Sequence, residues 1–219
     1  METVEKKALP SKRVNQGVCS LAARSRELYP TPRPLTEAII RTGELPHALI
    51  EPACGRGDMA EVLMRHGYKV TCSDIEDYGW AGQDFQSDFF DIQKTDADAI
   101  VSNPPFSLSG RFVRHGLQLC PKVVILNRLA FLEGRARRDI IDGHLSRIYP
   151  IVERPPMMHR HTQDLDGIWR EWAGKKSSSA MPVAIFVFER DHNPATGTVL
   201  RRISWRERRD KKGSDSQTQ

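Results

Sequence analysis

Ala99-Ile100-Val101-Ser102-Asn103-Pro104-Pro105-Phe106 is the stretch on which the fold turns. A short apolar run of this kind reads as a buried strand, and the two prolines that follow end it in a stiff loop. Upstream, Ala48-Leu49-Ile50 runs in the same way into Glu51-Pro52-Ala53-Cys54-Gly55-Arg56-Gly57. Outward from these two points, strand-like runs alternate with helical patterns. Strands are expected over residues 48–52, 69–73, at or just before 88–90, and over 99–102, 122–127, 147–153 and 183–189. Helices are expected over residues 35–42, 58–65, 108–119 and 135–145. That alternation implies an α/β fold, a doubly wound and mostly parallel seven-stranded sheet with helices on both faces. In such sheets ligands bind beyond the carboxyl ends of the strands, where the strand order reverses. Both loops follow strands at that end, so they can share one cleft.

Two strand-end loops of these types, in this order, resemble the hallmark motifs of the S-adenosylmethionine-dependent amino-methyltransferases, the N6-adenine DNA methyltransferase-like group with an Asn-Pro-Pro-Phe motif. The resemblance implies a class I methyltransferase Rossmann-like fold, S-adenosylmethionine as cofactor and an exocyclic amine as target. It carries over position by position. Tyr29-Pro30-Thr31-Pro32 matches the N-terminal motif that hydrogen-bonds the methionine carboxylate. Glu51, Pro52, Ala53, Gly55 and Gly57 form the cofactor loop. Asp74, followed by Ile75, stands where the ribose hydroxyls are accepted. Asp88 would accept from the adenine amine, with the Phe89 ring packed on the adenine face. Asn103, Pro104, Pro105 and Phe106 form the transfer loop, and Asn103 also borders the cofactor.

The residues support several of these roles on their own chemistry. Gly55 and Gly57 clear space where a ligand approaches the backbone, and Asp58 is placed to cap the helix that follows. A strict Gly-x-Gly-x-x-Gly dinucleotide loop is absent. Glu51 would meet a cation more readily than a phosphate. Asp74 is also open to the plainer reading of a strand-end carboxylate, and Asp88 competes with Asp84 and Asp91 for its role. The carboxylates show no metal-ligand spacing, so no metal is expected.

An exocyclic amine is a poor nucleophile because its lone pair is delocalised. Two acceptors aimed at its two N–H bonds localise that pair and stabilise the charge that builds during transfer. The Asn103 side-chain oxygen and the Pro104 carbonyl are the two candidates, and Phe106 offers a ring on which a flat substrate stacks. No strong base is needed, since the proton can leave afterwards. Cytosine C5 methylation needs a nucleophilic Cys, and Cys120, which precedes Pro121 after a helix, is misplaced for it.

Composition sets the outer bounds. The chain has 219 residues, 28% of them charged, and a net charge of +5, which fits one globular domain. No run nears the roughly 18 apolar residues of a membrane span, and the first residues lack the apolar core of a secretory signal. A cytoplasmic protein without membrane contact is therefore expected. The four cysteines (Cys19, Cys54, Cys72, Cys120) have neither zinc-knuckle nor disulfide-framework spacing and read as structural.

The organisation expected is a flexible basic tail over 1–27, one domain over 28–205 with a substrate-facing loop at 154–181, and a basic tail over 206–219. The region 51–106 holds eleven acidic and four basic residues, whereas 201–212 holds seven basic and two acidic ones. An acidic centre inside a basic periphery suits a cationic cofactor within and a polyanion outside. Arg135, Arg137, Arg138, Arg154, Arg160, Lys175, Lys176 and the basic C-terminus around Trp205 are the candidate phosphate contacts. The partner expected is nucleic acid, DNA first and RNA second, with a duplex base flipped out to reach Phe106. Protein glutamine methylation and a non-catalytic nucleic-acid-binding module are the alternatives, and the oligomeric state is open. His159 and His161 read as phosphate or solvent contacts, and Trp169 with Trp172 as core packing.

Overall fold

The computed structural model describes residues 29–155, 162–163, 169–170 and 181–206. The two tails and nearly all of the 154–181 segment, with Cys19, His159, His161, Trp172 and the lysines at 175–176, lie outside the described residues. The chain enters through Pro32, whose carbonyl accepts from Leu35 and Thr36 N–H at 2.9 and 3.2 Å and starts α1 (Arg33–Arg41). Pro34 sits at the helix start, where its missing N–H costs nothing. β1 (Ala48–Glu51) follows, then α2 (Asp58–Arg65), β2 (Lys69–Asp74), β3 (Phe85–Gln86), β4 (Ala99–Ser102), α3 (Ser109–Leu119), β5 (Lys122–Arg128), α4 (Arg138–His144) and β6 (Leu145–Pro150). A two-stranded ribbon of β7 (Thr162–Gln163) and β8 (Trp169–Arg170) precedes β9 (Val183–Glu189) and the edge strand β10 (Val199–Leu200).

The main sheet has the order β10-β6-β9-β5-β4-β1-β2-β3. Every pairing in it is parallel except those of β9, which runs antiparallel to both β5 and β6. The seven expected strands are all present, and β10 adds a two-residue eighth at the edge. The chain steps outward from β1 to β2 and β3, then returns to lay β4 on the other side of β1. That reversal sets the carboxyl ends of β1 and β4 side by side, with Ile50 opposite Ile100.

The third strand lies at Phe85–Gln86, so Asp88 stands just past a strand end and not within a strand. Its Oδ1 accepts the Phe90 N–H at 3.0 Å and bends Phe89–Asp91 into a 3-10 turn. The helix expected over 135–145 is shorter, a 3-10 turn at Arg135–Arg137 running into α4. Trp205, expected among phosphate contacts, is instead buried in the core at 6% exposure, with the Arg206 guanidinium over its ring.

Both faces of the sheet are buried. Leu35, Ile39, Met59 and Leu63 from α1 and α2 cover Leu49, Val124, Leu126 and Ile185. Phe112, Val113, Leu117 and Ile140 from α3 and α4 cover Ile50, Ile100, Ile125, Phe186 and Phe188. Cys54, Cys72 and Cys120 are free and buried, and burial pushes the Cys120 thiol up to about 11. No helix among the described residues is long and apolar enough to cross a membrane.

α3 approaches the sheet closely because position 116 is glycine. A Cβ there would stand 2.7 Å from Ile100 Cδ1 and 2.8 Å from Val123 Cγ2. Alanine would gain about 1 kcal/mol of helix propensity, but overpacking a filled core costs about 1–3 kcal/mol. The Ile100 methyl can swing aside, whereas the branched Val123 is held in the sheet. We predict that Gly116→Ala lowers stability to chemical denaturation and that adding Val123→Ala restores part of it. Equal or greater stability of Gly116→Ala would show that the helix has room to move outward.

Candidate functional site

The switch between β1 and β4 opens into a cavity of about 440 Å³, within the range of small-molecule sites of about 300–1,000 Å³. Its base is the loop after β1. Cys54 N–H donates to Ser73 O at 3.0 Å and Gly55 N–H to Asp74 Oδ2 at 2.8 Å, tying that loop to the end of β2. The other Asp74 oxygen accepts from Glu76 N–H at 3.0 Å. The Asp74 carboxylate is therefore oriented before any ligand arrives.

Of the residues named from sequence, Tyr29, Thr31, Glu51, Pro52, Ala53 and Gly55 line the cavity, as do Asp74, Ile75, Asp88, Phe89, Asn103 and Pro105. Gly57, Pro104 and Phe106 do not. Gly57 has φ +81° and faces a protein neighbour: a Cβ there would fall 2.2 Å from Trp80 Cε2. Trp80 in turn donates its indole N–H to Glu61 at 3.0 Å. This glycine makes room for an indole and leaves the approach to a ligand to Gly55. It also caps α2, so Asp58 is the first helical residue, a negative charge at the positive end of the helix, and not the cap.

Three carboxylates share the floor of the cleft. Burial, then the charges of Asp58 and Asp74, hold Glu51 well above the ordinary carboxylate range. Its Oε2 is buried with no partner among the described residues. Burial, opposed by Arg56 and aided by Glu61, pushes Asp58 up to about 7. Burial also raises Asp74, while the Glu76 and Gly55 amides pull the other way. Such a cluster is poorly compensated by the chain itself and is built to receive a cation. Among the described residues, no group of three or more His, Cys, Asp or Glu could hold a metal ion.

The opposite wall carries the transfer loop. Asn103 Nδ2 donates to the Tyr29 carbonyl at 3.0 Å and to Thr31 Oγ1 at 3.1 Å. A carbonyl only accepts, so these bonds fix which end of the amide is nitrogen. Asn103 Oδ1 is left buried without a partner among the described residues. The Pro105 carbonyl is occupied by Leu108 N–H and Ser109 Oγ at 2.9 and 3.1 Å. Phe106 lies beside the cavity, its ring stacked on Tyr29 at 5.8 Å and 21°. The Arg128 guanidinium stands 4.5 Å from the same ring centre.

Sequence reasoning gave Asp58 only a capping role and passed over Tyr78, Arg111 and Arg128. Asp58 follows the glycine loop directly and could have been weighed as a site acid. Arg128 ends β5, so the rule that ligands gather at strand carboxyl ends points to it as it does to Asn103. Arg111, whose guanidinium lies 4.0 Å over Phe90 at the cleft edge, carries no such signal.

No family model matches the chain, and no curated protein matches it. Solved structures do. A candidate RNA methyltransferase of Pyrococcus horikoshii superposes with a TM-score of 0.52 at 16% identity, over 75% of this chain and 88% of that one. The 23S rRNA methyltransferase ErmE gives 0.51 at 15% identity, over 76% and 71%. A modification subunit of a candidate type I restriction enzyme of Vibrio vulnificus gives 0.50 at 11% identity, over 80% and 47%. The chain thus has the Rossmann-like fold of methyltransferases.

The raised Asp58 carboxyl has a stability consequence. Between its ordinary 3.8 and about 7 the folded chain keeps a proton that the unfolded chain has released, so stability falls as pH rises through that window. We predict that the melting temperature of the ligand-free protein falls between about pH 4 and about pH 7, and falls less in Asp58→Asn. Identical pH dependence in the two proteins would refute the burial argument. A cation entering the cleft favours the ionised carboxylates, so its affinity should rise over the same window.

Proposed function

We propose that the protein is an S-adenosylmethionine-dependent methyltransferase acting on an exocyclic amino group, N6 of adenine in nucleic acid, with DNA placed before RNA. The observation that carries this reading is Asn103, a residue of the cavity lining: its amide nitrogen is fully engaged, and its oxygen is buried without a partner among the described residues. An acceptor left without a partner among the described residues is suited to an N–H brought by a substrate.

The residues present fit the cofactor. Its ammonium and sulfonium are cations, and the cleft floor holds Glu51 with an orphaned oxygen beside Asp58 and Asp74. Asp74 is set to accept from ribose hydroxyls, the exposed Ile75 to lie against the adenine ring and Asp88 to accept from its amine. Thr31 and Tyr29, held by Asn103, would bound the methionine end. S-adenosylmethionine supplies an electrophilic methyl group on sulfur.

The chain supplies the rest. Asn103 Oδ1 and the Pro104 carbonyl accept from the two N–H bonds of the target amine, drawing its nitrogen toward tetrahedral geometry so that its lone pair can attack. The prolines keep both acceptors in place, so no reorganisation accompanies transfer. The proton leaves once the methylated nitrogen is cationic and acidic.

Adenine is favoured by the aromatic pair Phe106 and Tyr29 beside the acceptors, since a base stacked on an aromatic ring gains about 1–3 kcal/mol. The names of the fold neighbours, an rRNA methyltransferase and a restriction-system modification subunit, accord with a nucleic-acid substrate and do not choose between the two kinds.

Incubation with labelled cofactor and either DNA or RNA, followed by digestion to nucleosides and mass spectrometry, should yield N6-methyladenosine of one sugar type. Label found only in protein would overturn the adenine assignment in favour of glutamine. We further predict that Asn103→Ala lowers kcat by about 10²–10³, the cost of removing one preorganised charge-stabilising group. Cofactor affinity by calorimetry should weaken too, by a smaller factor, because Tyr29 and Thr31 lose their hold. Undiminished turnover in this variant would rule out the two-acceptor mechanism.

A further inference from the structure

Arg128 is a cation beside the aromatic pair of this site that has no ion-pair partner among the described residues. Its main chain is anchored: β5 pairs Arg128 with Val183, and Arg128 N–H donates to Asn127 Oδ1 at 2.7 Å. Its side chain is not. Among the described residues Arg128 enters no ion pair, and its Nε is buried with no hydrogen-bond partner. Three other arginines of the domain have partners. Arg114 binds Asp139 at 2.6 Å, Arg138 binds Asp142 at 3.0 Å, and Arg137 donates to the Phe131 and Glu133 carbonyls.

A buried donor without an acceptor costs about 1–3 kcal/mol, so a ligand that supplies one beside it is favoured. The ligand can be narrowed by its chemistry. The guanidinium lies over the face of Phe106, the ring assigned to the target base. Stacking on a ring occupies the flat face of the group and leaves its N–H bonds pointing outward in the plane, a fork that matches a phosphate or carboxylate. A base held near Phe106 brings its own sugar-phosphate, an anion on a short tether.

Resting on the nucleic-acid reading above, we propose that Arg128 is a substrate-positioning residue that grips a backbone phosphate next to the target adenine. It thereby holds the extruded nucleotide against Phe106. It reads no base edge, so it serves placement and not sequence choice. The clamp also separates the substrate classes, because a glutamine side chain in a protein carries no such anion.

The test is a double-substitution cycle. One side changes the protein, Arg128→Ala with Arg128→Lys as the conservative variant. The other changes a single-adenine oligonucleotide, DNA or RNA, whose flanking phosphates are replaced in turn by uncharged methylphosphonate. Binding by fluorescence anisotropy and kcat/KM for methyl transfer are both read. On the native oligonucleotide Arg128→Ala should weaken binding and kcat/KM by about 10- to 100-fold, the size of a lost charge-assisted hydrogen bond. Arg128→Lys should recover part of that, and cofactor affinity should match wild type in both variants. At one linkage, neutralisation should cost the wild type a similar factor and the Ala variant almost nothing. Full binding by Arg128→Ala would overturn the proposal. So would equal losses from neutralisation in both proteins at every linkage, which would mean that Arg128 only props Phe106. If the wild type transfers no methyl yet the binding cycle shows coupling, the clamp stands and the enzymatic reading falls.

Discussion

The Asn103 side-chain amide joins two parts of the chain that are 72 and 74 residues apart. By donating to Tyr29 and Thr31 it fastens the incoming segment across the end of β4. That bond and the stack of Tyr29 on Phe106 together close the near wall of the cavity. The same bond determines which way the amide faces, and so leaves its oxygen as the unpartnered end. One side chain thus sets both the boundary of the cavity and its chemistry. A turn made only of proline could supply rigidity but no acceptor of this kind.

The floor of the cleft works by the opposite principle. Asn103 is satisfied at its nitrogen and open only at its oxygen, whereas Glu51, Asp58 and Asp74 are brought together with little to balance them. Folding tolerates this because protons can stand in for a missing cation. The protein is therefore primed for a positive ligand in the ordinary linkage sense: whatever neutralises the cluster also relieves the fold. Asp74, oriented by two backbone amides, ties this electrostatic reservoir to the geometry of the loop after β1.

Much of this was legible in the sequence because the signals are local. The apolar runs of β1, β4, β5 and β9 are buried on both faces and carry few polar interruptions, and glycine or proline marks their ends. The two loops could be placed at strand ends for the same reason. What was not legible depends on distance or on backbone alone. β10 pairs through the main chain while Val199 and Leu200 remain 46% and 61% exposed, so no apolar pattern announces it. Gly57 reads as a ligand-approach glycine until Trp80, far along the chain, is seen filling the space. Trp205 sits among basic residues and still belongs to the core. Arg128 is one arginine among many until its lack of a carboxylate partner is known.

The antiparallel strand β9 has a structural effect beyond its place in the sheet. It begins at the edge where its neighbours finish, so the segment between β6 and β9 leaves and rejoins the domain on the cleft side. Its two feet touch: Ile151 N–H donates to Val183 O at 3.1 Å, and Pro182 O accepts from Leu129 N–H at 2.9 Å, one residue beyond Arg128. With the stems buttoned together, the sheet is indifferent to how much chain is strung between them. The architecture therefore offers a graft point at the rim of the cleft, where material can be exchanged wholesale while the sheet beneath stays as it is.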